Sequence, residues 1–288
     1  LGVDKLRMAN HESRSVYNSP RLYYTLVWRR ASSDILQGLS LWRIWSALSW
    51  QEFKNSYHRS LFGILWVSLS FGGFVFIKLS IFSALLSVED AKYYNAYLIL
   101  GYYIWVYLAQ SVSSAPSTFI VANGRIVSEH HQLTTYIYKS IMREAYTLTL
   151  TGIVVVSAIL FIGYPVKWFG VVFAMLAIPF YFLSAVFVKL LLGTISARFR
   201  DISHIVAAVM LPMLFLTPVF WLPEQMGGLM QYLWWNPFYH FIELFRAPLL
   251  DNSFPQTSWL FALATLSIIS GVGFFLFAQF RQSIVFCL

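Results

Sequence analysis

Six apolar runs punctuate the chain, near residues 61–86, 96–119, 146–164, 168–195, 204–222 and 257–280. Each approaches or exceeds the roughly 20 residues at which a helix crosses a hydrocarbon core. The stretch between the fifth and sixth runs has a different rhythm. From Thr217 to Asp251 it reads TPVFWLPEQMGGLMQYLWWNPFYHFIELFRAPLLD. Pro223 and Pro237 each suit the first turn of a helix, and Asn236 is placed to cap the second one. Only about 12 residues then remain before Pro248, or roughly 18 Å of helix. Along it Phe238, Phe241, Ile242, Phe245 and Leu249 fall on one face, and Tyr239, His240, Glu243, Arg246 and Ala247 on the other. A short two-faced helix beside membrane spans predicts an element that re-enters the membrane or lines a polar path.

The fold class that follows is an all-α polytopic membrane protein with six transmembrane helices and two short re-entrant outer helices. Ahead of the spans, residues 38–58 (GLSLWRIWSALSWQEFKNSYH) read as an amphipathic interface helix, assigned to 38–60 with its turn. Trp42, Trp45 and Trp50 prefer the headgroup level, while Arg43, Lys54 and Arg59 suit anionic phospholipid. The alternative is a helix packed on the protein's own cytosolic side. Residues 1–37, with Pro20 and the Arg29-Arg30 pair, form an N-terminal extension expected to be partly disordered or flat on the membrane. The first apolar run begins only near Leu61, so no cleavable signal peptide is expected, and Met8 is read as a natural start.

Composition makes the membrane assignment firm. The chain is 58% apolar, 19% aromatic and 11% charged, with a mean hydropathy of +0.64. A soluble domain is nearer a quarter charged. The formal charge of +8 would point to nucleic acid in a soluble protein, but here it marks basic cytoplasmic segments, and nucleic-acid binding is set aside. Fifteen Lys/Arg fall on the N-terminal side of the predicted membrane, against three (Lys92, Lys167 and Arg246) in the loops left on the other side. The positive-inside rule then puts both termini in the cytosol and residues 217–251 outside.

Chemical motifs are few. No G-x-x-x-x-G-K-[ST] phosphate loop occurs, and no H-E-x-x-H. His130 and His131 are adjacent, a poor metal geometry on a helix. A single cysteine, Cys287, leaves no intrachain disulfide and no cysteine cluster. No catalytic residue, metal site or cofactor is therefore expected on this chain. Lys78 and Lys189 lie within spans, where each either lines a polar path or snorkels to its nearer interface. Ser68 with Gly72, and Gly193 with Ala197, have the small-x-x-x-small spacing of close helix contacts.

Aromatic residues are the positive signal. Tyr102, Tyr103, Trp105 and Tyr107 crowd six positions of one span, joined by Trp66, Phe71, Phe215, Phe220 and Trp221. Core packing and interfacial belts account for many such rings. The others are candidates for lining a channel, because sugar rings stack their CH faces on aromatic planes and a polymer can slide along them.

At this point the residues resemble a family. F-L-T-P-V-F-W-L-P (Phe215–Pro223), then N-P-F-Y-H-F-I-E-L-F-R-A-P-L-L (Asn236–Leu250), is similar to the permease subunit of bacterial ABC-type polysaccharide exporters, which move O-antigen, capsule or teichoic-acid polymers. R-F-R-D-I (Arg198–Ile202) and Y-x-x-S-x-x-G-x-x-W (Tyr57–Trp66) match as well, and the likeness covers roughly residues 40–285. A proline expected soon after Trp66 is replaced by the Ser70-Phe71 region, and the segment before span three also lacks one.

The resemblance implies a six-span domain over 61–288 that pairs as a homodimer in the bacterial inner membrane. It implies two copies of a separate cytosolic ABC ATPase, which would bind ATP and magnesium, and a substrate carried on undecaprenyl pyrophosphate. Segments around Asn123–Arg143 and Arg198–His204 would contact the ATPase, with Arg125, Glu129, Lys139, Arg198, Arg200 and Asp201 as coupling residues. Helices at 223–234 and 237–248 would gate the exit, with Trp234, Trp235, Asn236, His240, Glu243 and Arg246 in that gate. Glu243 and Arg246 are also spaced to pair with each other. Arg43, Lys54 and Arg59 would attract the lipid pyrophosphate at the cytosolic mouth. Two other readings are an exporter of a smaller lipid or drug, which needs a compact pocket, and a membrane-embedded glycosyl- or acyltransferase. The latter needs a D-x-D or a loop His–Asp pair, and the sequence has no such motif.

Overall fold

The computed structural model describes residues 20–83, 88–129, 131–223, 227 and 230–287. Among these every regular element is a helix: α1 (Pro20–Ser40), α2 (Trp42–Ser56), α3 (Leu65–Ser83), α4 (Val88–Ser114), α5 (Thr118–Val121), α6 (Asn123–Glu129), α7 (Leu133–Ile162), α8 (Trp168–Arg198), α9 (Ile202–Leu216), α10 (Met230–Leu233), α11 (Pro237–Asp251) and α12 (Gln256–Cys287). Three of them, α7, α8 and α12, are both long and apolar enough to cross a membrane, while α3 and α9 are shorter apolar helices. Helix α4 is long as well, but it opens on Glu89, Asp90, Lys92 and Asn95. It is nevertheless the central helix. Tyr94 to Gly101 are all buried, walled in by α3, α7, α8, α9 and α11.

Several boundaries differ from expectation for identifiable reasons. The interface helix expected over 38–60 is two helices, α1 and α2, meeting at Leu41, so the expected break at residue 37 falls inside α1. Residues 1–19 of the expected extension lie outside the described residues. Helix α7 starts 13 positions before the expected span at 146, because its first turns are polar and Tyr-rich yet are held by neighbours. Asp34 of α1 accepts the Thr134 N–H (3.1 Å) in the first turn of α7, where backbone donors have no helical partner. Helix α9 stops at Leu216 rather than 222. Thr217 precedes Pro218 and is forced extended (φ −96°, ψ 134°). Of the outer helix expected at 223–234, the described residues contain α10 alone; residues 224–226 and 228–229 lie outside them. Helix α11 begins as predicted: Asn236 Oδ1 accepts the Phe238 N–H (3.0 Å), with Pro237 at the first position.

The turn that carries the chain from α2 into α3 explains one motif. Ser60 N–H bonds Tyr57 C=O, Gly63 N–H bonds Ser60 C=O and Trp66 N–H bonds Gly63 C=O, at 3.2, 3.3 and 3.3 Å. Y-x-x-S-x-x-G-x-x-W is thus a run of turns each closing three residues apart. Gly63 takes φ +55°, which favours glycine.

Packing follows the small residues. Ser68 Oγ donates to Leu150 O (3.3 Å), and a Cβ on Gly72 would touch Val154 at 3.4 Å, so the Ser68/Gly72 face of α3 lies on α7. The Gly193/Ala197 face of α8 takes the ring of Phe119 from α5. The tightest approach is α8 on α11: a Cβ on Gly170 would sit 2.0 Å from the Pro248 carbonyl oxygen. Backbone cannot swing aside there. Gly170→Ala is expected to destabilise the chain by about 1–3 kcal/mol, read as a lower thermal unfolding midpoint of the purified protein. An unchanged midpoint would show that α11 slides freely along α8.

Candidate functional site

The site is built on the broken segment after α9. Residues 217–223 are irregular and follow directly on an apolar helix, so their carbonyls must find partners within the protein. They do. Pro218 O accepts from Arg246 NH1 (2.7 Å) and from Tyr97 Oη (3.0 Å), which also reaches Trp221 O (3.2 Å). Phe220 O accepts from Tyr94 Oη (2.6 Å). Asn236 Nδ2 donates to Thr217 Oγ1 (3.0 Å) while its Oδ1 caps α11, so one side chain ties the break to the half-helix that follows.

Arg246 is the pin. Its side chain is fully buried (0% exposed), paired with Glu243 through Nε (3.1 Å) and NH2, and its guanidinium lies 3.7 Å from the centre of the Tyr97 ring. Gly101 gives it room: a Cβ there would lie 2.8 Å from Arg246 NH1. His240 is equally enclosed. Its ring stacks on Phe261 (4.3 Å, 6°), with Ser258 Oγ 3.2 Å from Nδ1 and Trp234 O 3.0 Å from Nε2. A carbonyl can only accept, so Nε2 carries the proton and Nδ1 accepts from Ser258. Nearby, the Tyr164 hydroxyl donates to Leu250 O (3.1 Å). Its pKa is raised by burial and by the Asp251 carboxylate, which keeps this donor protonated.

These contacts correct the expectation that the polar face of α11 looks into a path. His240 and Arg246 face inward and serve as hydrogen-bonding glue, and α11 is packed among α4, α8 and α12. Outward-facing groups in this region are Trp234 and Trp235, the latter 83% exposed. Together with Leu216, Trp221, Tyr232 and Asn236 they border or adjoin the α9–α11 junction, where Met213, Leu216, Trp221, Tyr232 and Trp235 line a cleft of about 430 Å³.

The crowded aromatics of α4 divide among its neighbours. Tyr102 stacks on Phe74 (4.4 Å) and Phe71 (5.4 Å) of α3 and approaches Phe220. Tyr103 Oη donates to Leu148 O of α7 (3.1 Å), Trp105 meets Phe238 of α11 (5.5 Å), and Tyr107 meets Tyr181 of α8 (6.1 Å). Phe71, Tyr103, Trp105 and Tyr107 are buried in the core, where they cement the bundle. Of the lining candidates, Trp66 and Phe215 are exposed, while Tyr102, Phe220 and Trp221 are half-buried. Lys78 lies over Phe220 (4.9 Å) and Phe74 (5.6 Å), a cation on aromatic faces.

Sequence reasoning missed a second constellation. Lys189 does not snorkel: it is fully buried and bonds Glu144 Oε1 (2.7 Å), Ser114 Oγ (2.6 Å) and Ser111 O (3.4 Å). Ser114 Oγ in turn donates to Glu144 Oε1 (2.7 Å). This joins α4, α7 and α8 through one ion pair. Glu144 Oε2, Ser111 Oγ and Tyr107 Oη are buried without a hydrogen-bond partner among the described residues. The available signal was Lys189 itself, since a buried ammonium requires a counter-charge.

At the basic end of the bundle, Glu52 of α2 takes Lys139 Nζ at 2.8 Å and lies 3.2 Å from Arg125 NH1. Two expected coupling residues are therefore tied to the interface helix. Arg198, Arg200 and Asp201 stand exposed at the α8–α9 turn, whereas the Glu129 side chain lies outside the described residues. Arg43, Lys54 and Arg59 are exposed as well, the first two over Trp42 and Trp50. No three His, Cys, Asp or Glu residues converge on a metal position among the described residues.

An all-helical bundle with membrane-crossing helices, a broken helix sealed at one end and a charged lattice at the other defines a multi-pass membrane protein. A model of the ABC-2 type transporter family matches residues 43–250. The chain belongs to that family, as a permease component of an ABC transporter, and membership implies an ABC ATPase as its partner. A search of curated proteins returned no match.

Proposed function

We propose that the chain is the permease half of an ATP-driven exporter that moves lipid-linked polysaccharide, O-antigen in the first instance, across the bacterial inner membrane. Helices α3, α4, α7, α8, α9 and α12 are its six spans, with both termini cytosolic. The single observation that carries the substrate class is the cleft at the α9–α11 junction. Trp221, Tyr232 and Trp235 there offer planes and polar tips to a sugar chain. A smaller drug or lipid would call instead for an enclosed pocket between the helices.

Two copies form the channel. Helices α3 and α9 flank α4 and leave Leu65, Leu69, Phe76, Ile77, Ile205, Val209, Leu211 and Phe215 exposed, apolar surface that a second copy and lipid cover. The exposed α8–α9 turn and the α5–α7 segment meet the partner ATPase, which supplies the ATP and magnesium. A push on Arg125 or Lys139 passes to α2 through Glu52. Arg43, Lys54 and Arg59 attract the undecaprenyl pyrophosphate. In the outer gate, Trp234, Trp235 and Asn236 border the path, while His240, Glu243 and Arg246 hold its frame.

Deleting the chain in its host should remove surface polysaccharide and leave lipid-linked polymer inside the cell. Unchanged surface polymer in a host that makes it would refute the reading. In the complemented strain, Trp221→Ala and Trp235→Ala should each slow export roughly two- to tenfold with normal chain levels. Native flux in both would remove those rings from the path.

A further inference from the structure

The Arg29-Arg30 pair of α1 has no part in the function proposed above. Leu26, Arg29, Arg30, Ser33 and Gln37 share a face of α1 and line a cleft of about 350 Å³ with Gln132 of the α6–α7 turn and Arg281 of α12. Its charge is unbalanced. Asp34 is almost wholly buried, and it is committed to Arg281 through Nε (2.7 Å) and NH2 (2.6 Å) as well as to Thr134. Among the described residues no carboxylate pairs with Arg29 or Arg30, and both are exposed. Three guanidinium groups thus border one cleft whose sole carboxylate is already spent.

A second observation fixes the depth of the cleft. Trp28, on the same turn of α1, packs edge-on against Phe274 (5.3 Å) and Phe275 (6.5 Å) of the span α12, and the residue is still 44% exposed. Leu36 and Leu39 are exposed further along α1. Exposed Trp and Leu beside the basic end of a span belong at the headgroup level of the bilayer. That depth would set the cleft among lipid headgroups.

We propose that this cleft binds a phosphate group, that of an anionic phospholipid held between α1 and the end of α12. Guanidinium forks suit phosphate oxygens, and basic pockets at the cytoplasmic ends of spans select anionic headgroups. The Gln37–Gln132 amide pair, with Nε2 of Gln132 2.5 Å from Oε1 of Gln37, forms part of the rim and sets neutral donors beside the arginines. The lipid would act as a removable strap, because Asp34 already joins α1, α7 and α12 and the headgroup would add a contact across the same seam. This rests on the headgroup depth of α1 and not on which substrate is exported.

The test is native mass spectrometry of the full chain, released from detergent after incubation with phosphatidylglycerol or phosphatidylcholine. The native protein should retain phosphatidylglycerol in preference to phosphatidylcholine. Arg29→Gln with Arg30→Gln should weaken that retention about thirty-fold, as expected for two basic residues at a membrane surface. Lys92→Gln with Lys167→Gln, exposed at the opposite end of the bundle, should leave it unchanged. The Arg29→Lys/Arg30→Lys protein keeps the charge without the fork and should fall between. Equal retention of the two lipids, or full retention in the double glutamine variant, would overturn the proposal. So would displacement of the lipid by millimolar inorganic pyrophosphate, which would make this a soluble-anion site. Loss of polysaccharide export in a deletion strain bears on the proposed function alone, so the two can fail separately.

Discussion

Replacing Arg246 by leucine should unfold the end of this protein at which α9 meets α11. The substitution strands Glu243 beside an apolar side chain and leaves Pro218 O with only the shared Tyr97 hydroxyl. Removing one partner of a buried pair costs about 3–5 kcal/mol, because the other charge remains without compensation. The whole of a typical domain's stability is only about 5–15 kcal/mol. Thermal unfolding of the purified chain should therefore show a large drop in midpoint, and chain levels in the membrane should fall. Arg246→Lys should recover only part of this, since an ammonium cannot hold Glu243 through two nitrogens while reaching Pro218. If Arg246→Leu were as stable as the native chain, the broken segment would be held by Tyr94, Tyr97 and Asn236 alone.

The second large effect belongs to Glu144 and Lys189. Lys189→Met leaves a buried carboxylate with Ser114 as its remaining partner, and Glu144→Gln leaves a buried ammonium. Each should cost about 3–5 kcal/mol by the same reasoning. The double change Glu144→Gln/Lys189→Met leaves no net charge inside the bundle. It should be more stable than either single variant, a strong coupling between sites that touch. Strictly additive losses in this cycle would mean that the two residues matter for separate reasons.

Local chemistry made part of this structure legible in advance: the Asn236 cap and the proline at the start of α11 follow from rules acting over four or five residues. The end of α9 at Leu216 and the turn at Gly63 obey equally local rules, yet the apolar windows ran across both. What escaped was set by contacts between residues far apart in the chain. Glu144 lies 45 positions from Lys189, and it fell just outside an apolar window that opened at 146. The first turns of α7 are too polar for any hydropathy window, yet Asp34, 100 positions away, satisfies them. The polar face of α11 was visible, but periodicity cannot say whether such a face meets water or the carbonyls of a broken neighbour. In the crowded aromatics of α4 the packing reading prevailed for Tyr103, Trp105 and Tyr107, because a central helix needs large rings to reach several neighbours at once.

The early end of α9 has a consequence for the surrounding bilayer. Fifteen residues give an apolar rod about 22 Å tall, against a hydrocarbon core of about 30 Å. Its principal contacts are with α4 and α8, which leaves much of its apolar surface exposed. As one of the six spans proposed above, it would require lipids on that flank to thin by several ångströms or yield the flank to a second copy, a hydrophobic mismatch with a modest cost per ångström. For the dimer proposed above, membrane thickness would then be a variable of assembly: thicker bilayers would favour pairing along α9, and thinner ones would relieve the need for it.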